Sequence, residues 1–382
     1  MGNQAFLTGT VVDPMGMPVP NVNIDVLGID GNDDPTVVNG GTAMDGTFNV
    51  LVDPEGTYEV RFFAPPPPVS TLLNLSLPSV LITGTTNLGT VVLEAGVAMS
   101  GTVLDPGGSP LGGVNLDILY AATGVELLIT GDTTNGSGVF TLAVPTQLID
   151  VLMDTTPVGT SIAPHSFQAE SQVDFDLGNI QLEPGFLVTA IVRDASSSPI
   201  QNADYDVYES LTDRKLYTPG DNTNSSGFVD FVVPAGTYNF DVCPPPGVLV
   251  VADQQRDIAI GSNHTFGVVV LQPGVLLSGT TFSHLGVATP FVDVDVNIAS
   301  SGVGIPLCAD NSDASGAFGV VVPAGATYEV IFDPPYAVPL GLDVHNPVVI
   351  NSNTVLNSNL PRRSSTRARA AEPLAREVSF LV

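Results

Sequence analysis

The stretch Gly138-Val-Phe140-Thr-Leu142 occurs in four versions along the chain, and its recurrence decides the fold. It returns as Gly227-Phe-Val229-Asp-Phe231 and as Gly316-Ala-Phe318-Gly-Val320, each time 89 positions later. The first copy, Gly46-Thr-Phe48-Asn-Val50, precedes Gly138 by 92 positions. A constant period of this length indicates an array of similar modules rather than one globule with a shared catalytic centre.

The ends of the modules keep the same spacing. Leu93-Glu-Ala-Gly96, Leu182-Glu-Pro-Gly185 and Leu271-Gln-Pro-Gly274 lie 89 positions apart, and Leu360-Pro361 follows after the next 89. Each glycine leads almost directly into the first strand of the next repeat, so the linkers are very short and we expect an elongated array with little motion between modules. The predicted boundaries are 1–96, 97–185, 186–274, 275–361 and a basic tail, 362–382.

Each repeat is predicted to contain about seven short strands. In repeat 1, Val22-Asn-Ile24-Asp-Val26 alternates apolar and polar residues, which is typical of a half-buried strand. Turns rich in Gly, Pro and Asn separate such runs, and this pattern favours a β-sandwich. Tyr58, Tyr238 and Tyr328 fall on one position of the repeat and are expected in the core, with Ile149 at that position in repeat 2.

The composition supports an all-β chain with an acidic surface. Hydrophobic residues make up 43% and charged residues 13%, so the chain is too apolar to be disordered. The formal net charge is −29, and five arginines lie in the last 21 positions. Such a charge repels nucleic acid and anionic membranes. No apolar run reaches the length of a membrane-spanning helix.

One recurring pattern resembles a known domain family. Gly9-Thr-Val-Val-Asp13-Pro-Met-Gly16-Met-Pro18-Val19 returns as Gly101-Thr-Val-Leu-Asp105-Pro-Gly-Gly-Ser-Pro110-Leu111, and Val233-Pro-Ala-Gly-Thr-Tyr238 occurs later in a repeat. These motifs are similar to those of the carboxypeptidase regulatory-like domain, a transthyretin-like β-sandwich related in shape to Cna B-type modules. The resemblance covers residues 1–361. It implies four tandem seven-stranded transthyretin/Ig-like sandwiches that serve as spacers or stalks.

The repeats depart from this pattern in several places. Repeat 3 opens with Thr189-Ala-Ile-Val-Arg193 and lacks the first glycine, and repeat 4 has Phe282-Ser-His-Leu-Gly286 in place of the Asp-Pro turn. Cna B-type modules often contain a Lys–Asn isopeptide bond. Lys215 is the only lysine, so at most one repeat could form this bond, and we expect none.

No arrangement of residues predicts catalysis. The four histidines, His165, His264, His284 and His345, are scattered and have no two-ligand spacing. The chain also lacks a nucleophile motif with an adjacent base. We therefore expect a protein that is not an enzyme and that needs no cofactor.

The best candidate metal ligands lie in an acidic loop of repeat 1. Asp30, Asn32 and Asp34 alternate as at the start of a calcium loop. Pro35 stands where an EF-hand requires Gly, and Gly41 stands where it requires Glu, so this is not an EF-hand. The prediction is a calcium site of low affinity, and solvated turn carboxylates are the alternative.

The two cysteines, Cys243 and Cys308, lie in repeats 3 and 4. They form no CxxC or Cys/His cluster, which argues against zinc. The sequence leaves open a disulfide between the repeats or two separate thiols, and it favours the thiols.

The C-terminal tail differs from the repeats. Its first part is rich in arginine, and its end, Glu377-Val-Ser-Phe-Leu-Val382, has the composition of a strand. Val378, Phe380, Leu381 and Val382 are therefore candidate assembly residues that would add to a sheet edge or dock on the acidic body of a neighbouring chain. A disordered terminus is the alternative.

These observations favour an extracellular or cell-surface structural protein, of bacterial origin. It would be a stiff stalk or a filament subunit that associates head to tail with copies of itself or with another surface protein. One alternative is an adhesin that binds a ligand with loops at one end of the sandwiches. Another is a non-catalytic accessory part of a larger exported protein.

Overall fold

The computed structural model describes residues 4–29 and 34–363. In this part of the chain, regular structure consists of β-strands apart from one 3₁₀ turn at Thr156–Val158. The strands form eight sheets, and two sheets from each repeat enclose one hydrophobic core. The predicted all-β class with tandem sandwiches is thus confirmed. We call the four structural modules sandwiches 1 to 4.

Sandwich 1 contains seven strands. They are β1 (Ala5–Val12), β2 (Asn23–Gly28), β3 (Thr36–Val38), β4 (Thr47–Asp53), β5 (Gly56–Phe63), β6 (Leu75–Ile82) and β7 (Thr85–Val92). One sheet has the order β3-β4-β1-β7 and the other has β2-β5-β6. The alternating burial along β4 and β5 places every second residue in the core, as the sequence alternation predicts.

Sandwiches 2 and 3 contain six strands each, one fewer than predicted. Those of sandwich 2 are β8 (Val97–Leu104), β9 (Asn115–Tyr120), β10 (Val139–Val144), β11 (Leu148–Asp154), β12 (His165–Glu170) and β13 (Phe175–Gln181). Those of sandwich 3 are β14 (Gly185–Asp194), β15 (Asp204–Glu209), β16 (Phe228–Pro234), β17 (Gly236–Cys243), β18 (Asp253–Ile260) and β19 (His264–Leu271). The segments that correspond to β3, residues 128–130 and 217–219, form no strand in these two sandwiches. The bridges Asn115–Thr133 and Asp204–Asn222 beside them correspond to the Asn23–Gly41 bridge of sandwich 1.

Sandwich 4 again contains seven strands, because its last strand is divided in two. They are β20 (Val275–Ser283), β21 (Asp293–Ile298), β22 (Ala317–Val322), β23 (Ala326–Asp333), β24 (Asp343–Ile350), β25 (Thr354–Val355) and β26 (Ser358–Leu360). Both β25 and β26 pair with β20. The chain divides into two compact units between Pro184 and Gly185, with sandwiches 1 and 2 in the first and 3 and 4 in the second.

The first and last strands of every sandwich are parallel neighbours. β1 pairs with β7, β8 with β13, β14 with β19, and β20 with β25 and β26. Parallel neighbours require a long connection between them, and the rest of each sandwich is that connection. The chain therefore starts at one end of each sandwich and leaves it at the other.

The predicted tyrosine position is confirmed as a core position. Tyr58, Tyr238 and Tyr328 are buried, and each hydroxyl donates to the carbonyl of a proline in the preceding turn. Ile149 is also buried and brings no hydroxyl to sandwich 2. There the buried Ser171 hydroxyl donates to the Pro145 carbonyl instead. A different residue thus satisfies the same backbone group.

A second repeated core feature, a buried hydroxyl, was not predicted. Thr42 donates to the Val19 carbonyl at 2.8 Å and accepts from the Val22 amide at 2.9 Å. The corresponding residues in sandwiches 2 to 4 make the same two bonds; they are Thr134, Thr223 and Ser312. Each of these hydroxyls bridges two backbone groups that would otherwise be buried without partners.

Sandwich 4 places an aromatic residue in a left-handed backbone conformation. Phe291 has φ +57°, and its side chain is 62% exposed. The corresponding residues in the other sandwiches are Asn21, Gly113 and Asn202, which also have positive φ. Gly and Asn tolerate this conformation, whereas a bulky residue is strained in it.

We expect Phe291→Asn to raise the free energy of unfolding of sandwich 4 by about 1 kcal/mol, because it removes this strain and little buried surface. Chemical denaturation monitored by tyrosine fluorescence measures the change. Asn202→Phe is the matched control in sandwich 3, where we expect the free energy of unfolding to fall by a similar amount. A Phe291→Asn protein that is less stable than the parent would contradict the strain argument.

Candidate functional site

The predicted calcium ligands are only partly described by the structure. Asp30 and Asn32 lie outside the described residues. Asp34 is exposed, and its carboxylate accepts a hydrogen bond from the Gly28 amide at 2.8 Å. Among the described residues, no group of three or more His, Cys, Asp or Glu side chains could hold a metal ion. Calcium binding by this loop stays a prediction.

Several other loop carboxylates organise turns. Asp13 accepts from the amides of Met15 and Met17, at 2.9 and 2.8 Å. Asp194 and Asp313 accept from the amides two and four residues ahead in the same way. In sandwich 4, the Ser283 hydroxyl replaces the aspartate of the first turn and accepts from Val287 at 3.3 Å. These acidic residues are therefore explained by turn formation.

A groove lies at the junction of sandwiches 1 and 2. It is open and has a volume of about 340 Å³. Its walls come from the outer face of the β2-β5-β6 sheet, from the Pro65-Pro66 bend and from Thr130 of sandwich 2. No histidine, serine or cysteine lines it, so the groove holds no nucleophile with an adjacent base.

Within each unit, consecutive sandwiches meet at a glycine. A Cβ atom on Gly96 would lie 2.5 Å from the Val144 carbonyl oxygen and 2.7 Å from Leu73 Cδ2. On Gly274 it would lie 2.5 Å from Val321 Cγ1 and 2.9 Å from the Val322 carbonyl oxygen. The glycines therefore allow the end of one sandwich to approach the third strand of the next, which is β10 in sandwich 2 and β22 in sandwich 4.

Arg363 occupies the position after sandwich 4 that corresponds to these glycines. Its amide donates to the Pro339 carbonyl at 3.0 Å, as Gly274 donates to Leu249. Its guanidinium donates to the carbonyls of Leu340 and Tyr336 and lies 4.9 Å from the centre of the Tyr336 ring. The arginine side chain thus packs where the glycines leave room for a further sandwich.

A second contact links consecutive sandwiches at their sides, and here the two units differ. In the second unit Cys243, at the end of β17, is bonded to Cys308, in the connection between β21 and β22, with a Cα–Cα distance of 5.7 Å. The sequence favoured two separate thiols, and this prediction was wrong, because the structure contains a disulfide. Sequence spacing could not show that two residues 65 positions apart face each other across a junction.

The corresponding positions in the first unit carry Phe63 and Thr130, which both line the groove described above. Phe63 stands opposite Asn23, as Cys243 stands opposite Asp204. Nearby, the Asn74 side chain accepts from the Ala64 amide at 2.9 Å and donates to the Leu128 carbonyl at 3.0 Å. The first junction is therefore held by hydrogen bonds and packing, and the second also by a covalent bond.

The outer face of the β15-β17-β18 sheet in sandwich 3 carries a network of charges. Asp206 stands directly opposite Asp241, a like-charge pair that is unfavourable unless compensated. Lys215 forms an ion pair with Asp206, and Arg256 Nη1 lies 2.8 Å from Asp241 Oδ1. The only lysine thus faces an aspartate, not the asparagine of a Lys–Asn isopeptide pair. Sequence reasoning missed this network because its members are far apart along the chain.

Asp221 lies beside this network and accepts a hydrogen bond from Thr218 at 2.5 Å. Burial, opposed by that hydrogen bond but reinforced by the nearby charge of Asp204, raises the pKa of Asp221 to about 7. Between about pH 4 and pH 7, the folded state therefore retains a proton that the unfolded state, with a pKa near 3.8, has already released. The stability from this proton is complete below that range and is lost as the pH rises through about 7.

We expect Asp221→Asn, which resembles the protonated carboxyl, to make sandwich 3 less sensitive to pH. Relative to the parent, its free energy of unfolding should rise by about 1–2 kcal/mol between pH 5 and pH 8. Thermal unfolding at the two pH values measures this. Asp230→Asn, at an exposed site of β16, removes the same charge as a control. Equal effects of both substitutions would assign the pH dependence to net charge instead.

The tail residues predicted to mediate assembly, Val378, Phe380, Leu381 and Val382, lie outside the described residues. Their role stays a prediction. In the described part of the chain there is no helix that could span a membrane.

Comparisons with known proteins give limited information. No protein-family model and no curated protein matches the chain. One similar solved structure is the Bacillus anthracis TIE protein, with 11% identity and a TM-score of 0.21, where the match covers 94% of this chain and 68% of that chain. Another is the Bacillus cereus major pilin subunit BcpA, with 11% identity and a TM-score of 0.19, where the match covers 70% of this chain and 99% of that chain. A third is the shaft pilin spaA from Lactobacillus rhamnosus GG, with 11% identity and a TM-score of 0.21, where the match covers 47% of this chain and 98% of that chain. TM-scores this low support no conclusion, so the fold assignment rests on the strand pairing and the cores.

Proposed function

We propose that this chain is an extracellular structural protein, a load-bearing stalk or the subunit of a filament at a bacterial cell surface. The observation that carries the proposal is the parallel pairing of the first and last strands in every sandwich. A force on the two ends of a sandwich pulls these neighbouring strands in opposite directions along their length. All hydrogen bonds of the ladder then share the load at once.

Three further features support this function. The Cys243–Cys308 disulfide fits an oxidising location outside the cytosol. Gly96 and Gly274 bring consecutive sandwiches into close contact, which limits bending within each unit. The Asn74 side chain donates to the Leu128 carbonyl at 3.0 Å and so links sandwiches 1 and 2 by a hydrogen bond.

The direction of pulling tests the mechanical proposal. Pulling the protein from its two termini shears β1 against β7 in sandwich 1. In the variant Glu55→Cys, pulling between the first residue and position 55 instead opens the antiparallel β1·β4 ladder from one end. Because the two native cysteines are bonded to each other, the new thiol is a selective attachment point. We expect a several-fold lower unfolding force in the second direction. Equal forces would contradict a load-bearing design.

Electron microscopy tests the filament form of the proposal. We propose that copies associate head to tail and that the end of the tail contributes to the contact. Removal of residues 364–382 should abolish association while leaving Arg363 in place on sandwich 4. Purified protein that forms only compact closed oligomers would contradict a filament or stalk, and unchanged association after truncation would exclude the tail.

A further inference from the structure

The disulfide joins sandwiches 3 and 4 at points that are not neighbours along the chain. Cys243 ends β17, the fourth strand of sandwich 3, and Cys308 precedes β22, the third strand of sandwich 4. The closed loop includes β18, β19, β20 and β21, together with the peptide that connects the two sandwiches at Gly274. Half of this loop belongs to each sandwich.

We propose that the Cys243–Cys308 disulfide is a tension bypass that limits how far the second unit can be extended. In a chain pulled from both ends, force follows the shortest continuous covalent path. That path runs from β17 through the two sulfur atoms to the segment before β22. Residues 244–307 and the junction at Gly274 then carry no tension. The proposal rests on the load-bearing function proposed above.

The bypass changes which strands are loaded. β19 and β20 lie inside the closed loop, so force reaches neither of them while the disulfide is intact. The parallel ladders that they form with β14 and β26 are therefore not sheared. In the first unit no cysteine is present, and both parallel ladders lie on the path of force. The two units thus differ in mechanical design although their sandwiches are alike.

The bypass also sets the length that unfolding can release. The loop has a sequence separation of 65, and each extended residue spans roughly 3.5 Å. An intact disulfide therefore withholds about 23 nm of extended chain, even after sandwiches 3 and 4 have unfolded. Both cysteines are partly exposed, so a small thiolate can attack one sulfur atom, form a mixed disulfide with it and expel the other cysteine as a thiolate. A second thiol completes the reduction, and the withheld length is then released when sandwiches 3 and 4 unfold. The second unit is in this sense an extensible element controlled by the redox state.

Single-molecule pulling of the full chain from both ends tests the bypass. We expect the total extension gained on unfolding to be about 23 nm shorter for the oxidised protein than for Cys243→Ser/Cys308→Ser. The unfolding steps of sandwiches 1 and 2 should be identical in both and serve as the internal control. Adding a small thiol to the oxidised protein, held under load after sandwiches 3 and 4 have unfolded, should release one step of about 23 nm.

Reduced and alkylated parent protein provides a second comparison in case the serine variant folds incompletely. Equal extension in the oxidised and reduced proteins would overturn the proposal, and so would a thiol-dependent step from the first unit. The outcome is separable from the proposed function. Compact closed oligomers in electron microscopy, or equal forces in the two pulling directions of sandwich 1, would contradict the function without altering the expected 23 nm difference.

Discussion

Cys243→Ser/Cys308→Ser is expected to lower the free energy of unfolding of the second unit by about 4 kcal/mol. The disulfide closes a loop with a sequence separation of 65 and so restricts the unfolded chain, and the chain-entropy relation for a loop of this length gives that value. Serine is close to cysteine in size, and both sites are only partly buried, so we expect little change in packing. Chemical denaturation of the oxidised protein and the variant measures the difference.

The first unit provides the control for this experiment. Thr130→Ser alters the position that corresponds to Cys308, where no covalent bond exists, and the stability of sandwiches 1 and 2 should not change by more than about 0.5 kcal/mol. Unfolding of the serine double variant at the same denaturant concentration as the parent would contradict the prediction. It would mean that the unfolded chain is already compact without the bond, or that the bond does not form.

Gly96→Ala is expected to destabilise the first unit by about 3 kcal/mol. The added methyl group would approach the Val144 carbonyl oxygen to 2.5 Å and the Thr71 carbonyl oxygen to 3.0 Å. Both contacts are with backbone, from sandwich 2 and sandwich 1 respectively, so neither can be relieved by a change of rotamer. The two sandwiches must separate slightly, or β10 must shift. Calorimetry should show a lower unfolding temperature for the first unit only.

Gly136→Ala is the matched control, because a Cβ atom at this exposed turn position meets nothing within 4 Å. It exchanges the same residue types in the same unit, so it reports the effect of losing glycine flexibility alone. A loss after Gly136→Ala as large as that after Gly96→Ala would show that the close approach of the sandwiches is not the cause.

The strands were largely predictable because their signals are local. The alternation in Val22-Asn-Ile24-Asp-Val26 places Ile24 and Val26 in the core, as the structure shows. Repeats 2 and 3 were assigned one strand too many. Whether a short segment extends a sheet depends on its register with a neighbouring strand, which the segment by itself does not reveal.

The polar core features depended on tertiary structure. Each buried hydroxyl bonds two distant backbone groups; that of Thr223 bonds the Ile200 carbonyl and the Ala203 amide, which lie 23 and 20 positions earlier in the chain. The fixed spacing of 89 positions among Thr134, Thr223 and Ser312 could have revealed the position. The exchange of a tyrosine hydroxyl for that of Ser171 could not be foreseen, because the replacement comes from the residue after β12, far from the tyrosine position in the chain.

The sequence by itself determined the all-β class, the repeated sandwich and its tyrosine position. These properties follow from side-chain alternation and turn residues, which act over a few positions, and from a period that repeats them. Only the tertiary structure decided that Cys243 faces Cys308, that Lys215 neutralises Asp206, and that the first and last strands of each sandwich are parallel neighbours. These relations join residues distant in sequence, and they exist only once two sheets have packed and two sandwiches have met.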